Sequence, residues 1–154
     1  MPEKETLERA REDAREGKSP STQAGEFVRE EMEHIRRGKH GAKSTKQAIA
    51  IGLSKARRAG VKLRPPKKGK ASSRTRVQAK RDYRKGQSSS RRRKPSARRS
   101  RAVEGALKRM PRKAASKKSL SRHAKSVARS RGRASRQASA RKAARTRRHE
   151  RKAA

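Results

Sequence analysis

Cysteine and tryptophan are absent, and the 154 residues include one Phe, Phe27, and one Tyr, Tyr83. Without thiols the chain forms no disulfide and offers no thiolate to a metal. With two aromatic rings it cannot build the stacking platforms that read single-stranded DNA and RNA. Apolar residues make up 27% of the chain, too few to close one core around its whole length. No window has the apolar length of a membrane span. The acidic opening M-P-E-K-E-T-L-E-R lacks the apolar run of a secretory signal. Acids are scarce as well, 13 against 51 Lys and Arg, for a formal charge of +38. Ten of those acids fall in residues 1–33, which carry a net −4, while the rest of the chain carries +42. A segment so charged repels itself and calls for a polyanionic partner, of which nucleic acid is the commonest.

One stretch carries the start, body and stop of a single element: S-T-K-Q-A-I-A-I-G-L-S-K-A-R-R-A-G, residues 44–60. Ser44 and Gln47 form a capping box, and Gly60 supplies the left-handed stop of a helix. Ile49, Gly52, Leu53 and Ala56 recur at i, i+3, i+4 and i+7, so the pattern predicts one shared face. A second helix is expected over Thr22–Arg37, with Ala24, Phe27, Val28, Met32 and Ile35 on one stripe and Gly38 as its stop. Phe27 lies in that stripe and reads as core rather than as a base-stacking ring. Glu31 falls in the same stripe and needs a basic partner, for which Lys46 and Arg57 are the candidates. The short loop from Gly38 to Lys43 joins the two as an antiparallel pair. Ile51 points away from the Ile49/Leu53 face, either as an exposed residue or as part of a homodimer contact through residues 21–64.

The run G-E-F-V-R-E-E-M-E-H-I-R-R-G-K-H-G-A-K-S-T-K-Q-A-I-A-I-G-L-S-K-A-R-R-A-G, residues 25–60, resembles a family of small, strongly basic bacterial proteins of unknown function. Its mark is the motif K-Q-A-I-A-I-x-L-S-x-A-R-x-A-G. The resemblance implies a bacterial source and brings no activity with it. Compositionally, the tail is similar to those of linker histones and nucleoid proteins.

Around the helical pair the chain divides by composition. Residues 1–20 read as a charged, acidic helix over Pro2–Glu16, ended by Gly17: a solvated helix, or a cover for the basic tail. Residues 21–64 are the hairpin domain. Residues 65–95 are a basic Pro/Gly/Ser linker with a short helix over Ser73–Lys85 that Gly86 ends. Residues 96–154 are an Ala/Arg/Lys/Ser tail. Within that tail Ala102, Val103, Ala106, Leu107 and Met110 form one stripe, and Leu120, Ala124 and Val127 another. Ala, Arg and Lys favour helix, but their charges oppose it until phosphates neutralise them. The expected fold is therefore all-α: a small antiparallel helical hairpin followed by a largely disordered or conditionally helical basic tail.

The loop G-K-H-G-A-K-S is the one phosphate-like signature. It is not a Walker loop, since its spacing is wrong and no strand precedes it. It does gather Lys39, Lys43, Ser44, Thr45 and Lys46 at a helix start, where free N–H groups and the dipole attract anions. The competing reading is an ordinary capped helix start beside solvated lysines. Further phosphate contacts are expected from Arg57, Arg58, Lys62, Arg64, Lys67, Lys68, Lys70, Arg91, Arg92, Arg93, Arg98, Arg99, Arg131, Arg133, Arg141, Lys142, Arg145, Arg147 and Arg148. Arg131-Gly132-Arg133 has the centre of a minor-groove hook but lacks its proline. The histidines His34, His40, His123 and His149 are scattered, without cysteines or a convergent carboxylate set, so no metal site is expected. No catalytic constellation or cofactor motif appears, and the chain does not read as an enzyme.

The expected function is non-specific, histone-like binding of duplex DNA through its phosphates in the bacterial nucleoid. Two alternatives stay open. One is an RNA- or ribosome-associated basic protein. The other is a protein-interaction or self-association module for which the tail is a tether.

Overall fold

Ser19 and Pro20 open the longest helix of the N-terminal half. The Ser19 hydroxyl accepts from the Thr22 N–H, and Pro20 occupies the first helical position, where its missing N–H costs nothing. Two residues past its end Gly38 takes φ +76°, the left-handed geometry that ends a helix. A computed structural model of the chain describes residues 2–88 and 96–153. It is all-α: helices and no strand among the described residues. The order is α1 (Lys4–Arg15), α2 (Pro20–Arg36), α3 (Thr45–Arg58), α4 (Ser73–Gln87), α5 (Ala97–Lys108), a 3-10 turn (Arg112–Ala115), α6 (Lys117–Ser130) and α7 (Arg133–Ala153). No described helix is long and apolar enough to cross a membrane.

The chain divides into two compact units, Met1–Ser116 and Lys117–Ala154. The boundary does not fall at residue 96, where composition turns, because the end of α5 and the segment after it are bonded into the first unit. Arg36 Nε donates to the Ala115 carbonyl at 3.0 Å, Thr45 Oγ1 to that of Ala114 at 2.7 Å, and the Gly41 N–H to that of Leu107 at 2.9 Å.

In the first unit α2 and α3 pack against each other, with α1, α4 and the 3-10 turn around them. Small residues dominate the core of this unit, the α2–α3 contact included: among the described residues, eight of the twelve buried apolar side chains are alanine. Gly52 is required there, because a Cβ would lie 2.7 Å from the Val28 Cα. Phe27, fully buried, sits with Ala10, Ala24, Ala56 and Val61, and Leu7, Leu53, Ala59 and Leu63 pack against them. Phe27 is thus a core residue. On α3 the deepest line is Ala48, Gly52 and Ala56, with Ile49 and Ile51 only half-buried. The face is turned slightly from the one the large side chains suggested, because close helix approach selects the small ones.

Two further expectations are corrected. The first helix is not merely solvated: Thr6 and Ala10 are buried, and Arg9 Nε donates to Glu26 of α2 at 2.8 Å. Gly86 does not end α4 but lies inside it, where a Cβ would strike the Arg57 carbonyl of α3. In the tail α5, α6 and α7 span most of the described residues, the helical form of the expectation.

In the second unit α6 turns Leu120, His123 and Val127, all half-buried, to one side. Arg136 Nη1 donates to the Ala128 carbonyl at 3.1 Å. None of its described residues is buried.

Candidate nucleic-acid interface and a buried ionic cluster

The start of α3 is capped much as its sequence predicts. Ser44 accepts from the Gln47 N–H at 3.2 Å, and Gln47 Oε1 accepts from the N–H of Lys43 at 2.8 Å. The phosphate cradle expected beside it is only partly assembled. Thr45 is buried, with its hydroxyl committed to Ala114. Lys39 Nζ is 2.7 Å from Glu3 Oε1. Glu3 is also bonded to His34 Nε2 at 2.9 Å, and these two partners, Lys39 first, lower its carboxyl to about 2. The loop amides of Gly41 and Ala42 are taken by the carbonyls of Leu107 and Pro111. Lys43, Ser44 and Lys46 remain exposed.

Among the other expected phosphate contacts, Arg57 is not a surface group. It is 8% exposed, its Nε donates to the Leu63 carbonyl at 3.2 Å, and burial pushes its pKa down. Arg58 is half-exposed and gives Nε to Asp82 at 2.9 Å. Lys62, Arg64, Lys67, Lys68, Lys70, Arg98 and Arg99 are exposed in the first unit, as are Arg131, Arg133, Arg141, Lys142, Arg145, Arg147 and Arg148 in the second. Arg91, Arg92 and Arg93 lie outside the described residues.

The second unit holds fifteen bases and one acid in its sequence, a net of +14. At 100° per residue the bases of α7 at 133, 136, 141, 142, 145, 147, 148 and 151 spread over about 240° of its circumference and leave a sector of about 120° to Ser135, Ser139, Ala143 and Thr146. A helix that is polar all round has no face to bury, in agreement with the exposure of every described side chain on it.

Two features of the first unit escaped the sequence. Asp82, 1% exposed, accepts from Ser54 Oγ at 2.8 Å, Arg58 Nε at 2.9 Å and Gln78 Nε2 at 3.2 Å. It pins α4 to α3. The available signal was its isolation: Asp82 is the sole acid between Glu33 and Glu104, at helical spacing from the small residues Ala79 and Gly86.

The other feature is an ionic cluster inside the fold. Glu30 and Glu31 are 3% and 0% exposed. Lys55 Nζ, from α3, is 2.7 Å from Glu31 Oε2 and 3.7 Å from Glu30 Oε1. Lys55, rather than Lys46 or Arg57, is therefore the basic partner of Glu31, because the Arg57 guanidinium is turned toward the chain leaving α3. His40 Nε2 lies 3.3 Å from Glu31 Oε1 and His34 Nε2 3.7 Å from Glu30 Oε1. The histidines that looked scattered converge with carboxylates after all. Glu31 and His34 are one helical turn apart, and Gly38 folds the loop back to return His40.

The described residues form an all-helical protein, and residues 15–68 match the model of a family of unknown function (DUF6496). No curated protein and no solved structure matches it. The matched segment contains α2, α3 and the whole ionic cluster.

Proposed function

We propose that the chain is a non-specific duplex-DNA-binding protein of the histone-like, nucleoid-associated kind, and that its C-terminal unit makes most of the phosphate contacts. The observation that carries this reading is the unburied surface of α7, basic over about two-thirds of its circumference. A 21-residue helix is about 32 Å long and 10–12 Å across with its side chains. That diameter matches the major groove, about 12 Å wide, whose walls are phosphates on both sides. A helix basic on one narrow face suits a flat anionic surface, whereas bases spread over about 240° can meet phosphates on both walls of a groove. Duplex DNA presents one charge per about 1.7 Å, so the length of α7 faces roughly 19 phosphates.

In this reading the α2–α3 hairpin, braced by α1 and α4, is the fixed head. The C-terminal helices are conditional, strengthened as phosphates neutralise their self-repulsion. Helical circular dichroism that grows when duplex DNA is added would support that second point. The scarcity of aromatic rings favours duplex over single-stranded partners, and the expected setting is the nucleoid in the bacterial cytoplasm. The start of α3 adds Lys43 and Lys46 as supporting contacts.

The test is a salt titration of the full chain on duplexes of scrambled sequence. Affinity should fall steeply with salt and change little with sequence. Binding that stays flat from low to high salt refutes the reading. Preferential capture of structured RNA in direct competition would transfer it to RNA.

A further inference from the structure

The positive charge around Glu30 and Glu31 is incomplete. Two buried carboxylates face one ammonium, that of Lys55, so with neutral imidazoles one negative charge is left over. None of the four carboxylate oxygens receives a well-formed hydrogen bond from a described residue, although the Lys55 ammonium stands close by. Buried charge of this kind costs several kcal/mol per ion unless it is paired.

The two imidazoles sharpen the question. The Gly41 carbonyl, 3.2 Å from His40 Nδ1, can only accept, so Nδ1 carries the proton. In the neutral ring Nε2 is then a bare lone pair, and it faces the Glu31 Oε1 lone pairs at 3.3 Å. Two acceptors that close repel unless a proton or a metal cation stands between them. His34 is oriented by its Nε2, held 2.9 Å from the Glu3 carboxylate, so Nδ1 is the nitrogen it has left for a metal. A backbone carbonyl on one histidine and a carboxylate on the other are the outer partners that typically fix metal-binding imidazoles.

We propose that Glu31, His34 and His40 form a binding site for a divalent transition-metal ion of the zinc class. One ligand atom from each already lies within 4.8 Å of the others. Tetrahedral bonding at 2.0–2.2 Å places ligand atoms about 3.4 Å apart, a contraction that small side-chain rotations supply. Two imidazole nitrogens and a carboxylate oxygen suit zinc rather than calcium or magnesium, which prefer all-oxygen sets. Lys55 stays on Glu31 Oε2 and leaves Oε1 to the metal. Bound there, the ion ties α2 to the loop that leads into α3. The site is independent of the DNA reading, and its ligands belong to the segment that matches the family model.

The experiment uses the full chain, free of any affinity tag and stripped with chelator, titrated with Zn2+ and with Co2+ as a spectroscopic probe. The expected result is one saturable equivalent, a visible Co2+ spectrum of tetrahedral type and a raised melting temperature. His40→Gln and Glu31→Gln should each weaken Zn2+ binding by more than about a hundredfold, beyond what removing an outer-shell partner costs. His123→Gln, in the second unit, should leave it unchanged. Because a cluster variant could unfold, Lys55→Gln provides a second arm: without the ammonium, Zn2+ should bind more tightly and restore the melting temperature that the variant loses. Absence of saturable uptake by the wild-type chain overturns the proposal. Uptake that His40→Gln and Glu31→Gln leave intact overturns it as well.

Discussion

Helices α3 and α6 are each 14 residues long and similarly basic, with four bases in T-K-Q-A-I-A-I-G-L-S-K-A-R-R and five in K-K-S-L-S-R-H-A-K-S-V-A-R-S. The first buries Thr45, Ala48, Gly52, Ala56 and Arg57, whereas the second buries nothing. Charge content does not separate them. What α3 has is a line of small residues every fourth position, against which α2 can close, and acidic residues across that interface to receive its bases. Helix α6 has apolar residues at the right spacing but no buried partner among the described residues of its own unit. A strongly basic chain can therefore fold where acids and small residues are interleaved with its bases. Where they are missing it stays a helical surface.

The sharpest way to break this division is to discharge α7. Replacing Arg141, Lys142, Arg145, Arg147 and Arg148 with Gln should flatten the slope of log affinity against log salt by about 4.5, at about 0.9 for each phosphate left without its cation. At physiological salt that corresponds to a drop of between three and four decades in duplex affinity, about 5 kcal/mol. The melting of the first unit, followed by calorimetry, should not move. If affinity survives while melting shifts, the roles assigned to the two units are reversed.

The complementary change is Phe27→Ala. Truncating a fully buried Phe typically costs about 3–5 kcal/mol, and a core of alanines around a single aromatic ring cannot collapse to refill the space. Thermal or denaturant unfolding should show the first unit largely unfolded. Affinity for duplex DNA at low salt should fall far less than in the α7 variant.

A smaller effect sharpens the contrast between α3 and α6. Gly52→Ala forces a Cβ to within 2.7 Å of the Val28 backbone, so α2 and α3 must separate, at a cost of about 1–3 kcal/mol. The half-buried Val127 of α6 has no such neighbour, and Val127→Ala should cost under about 1 kcal/mol. Equal denaturation midpoints for the two variants would deny that the α2–α3 approach is special.

How much of this was legible in the sequence follows from the range of each signal. Capping and termination are local, so Ser44, Gln47, Gly38 and Gly60 marked α2 and α3 to within a residue or two. Phe27 could be placed in the core because it is the one large ring on an apolar stripe. Gly86 misled because glycine ends helices more often than it lets them touch. Only its closeness to the Arg57 carbonyl, 29 positions away, shows which role applies. Burial of Arg57 and its replacement by Lys55 as the partner of Glu31 depend on the rotation of α3, which the spacing of large residues gave slightly wrong. The ionic cluster was invisible for the same reason: Glu31 and His34 share a helix face, but His40 reaches them only through the fold of the loop.

The smallest prediction concerns Glu3, half-exposed at the head of α1 and bonded to Lys39 and His34 of the neighbouring elements. These partners lower its carboxyl from 4.5 to about 2. A group whose pKa is lower in the folded chain binds fewer protons there, so its stabilising contribution is complete above the unfolded value and fades as protons are forced on. The benefit should thus be constant above about pH 5, decline between pH 4.5 and 2, and vanish below. Glu3→Gln removes the carboxylate at every pH. The difference in melting temperature between wild type and variant should be small, since the group is solvated and screened, and should close as pH falls through that window. A difference that persists unchanged at about pH 2 would mean that Glu3 anchors α1 by packing rather than by charge. The acidic N-terminal helix would then belong to the head through its Thr6, Leu7 and Ala10 face and the Arg9–Glu26 pair.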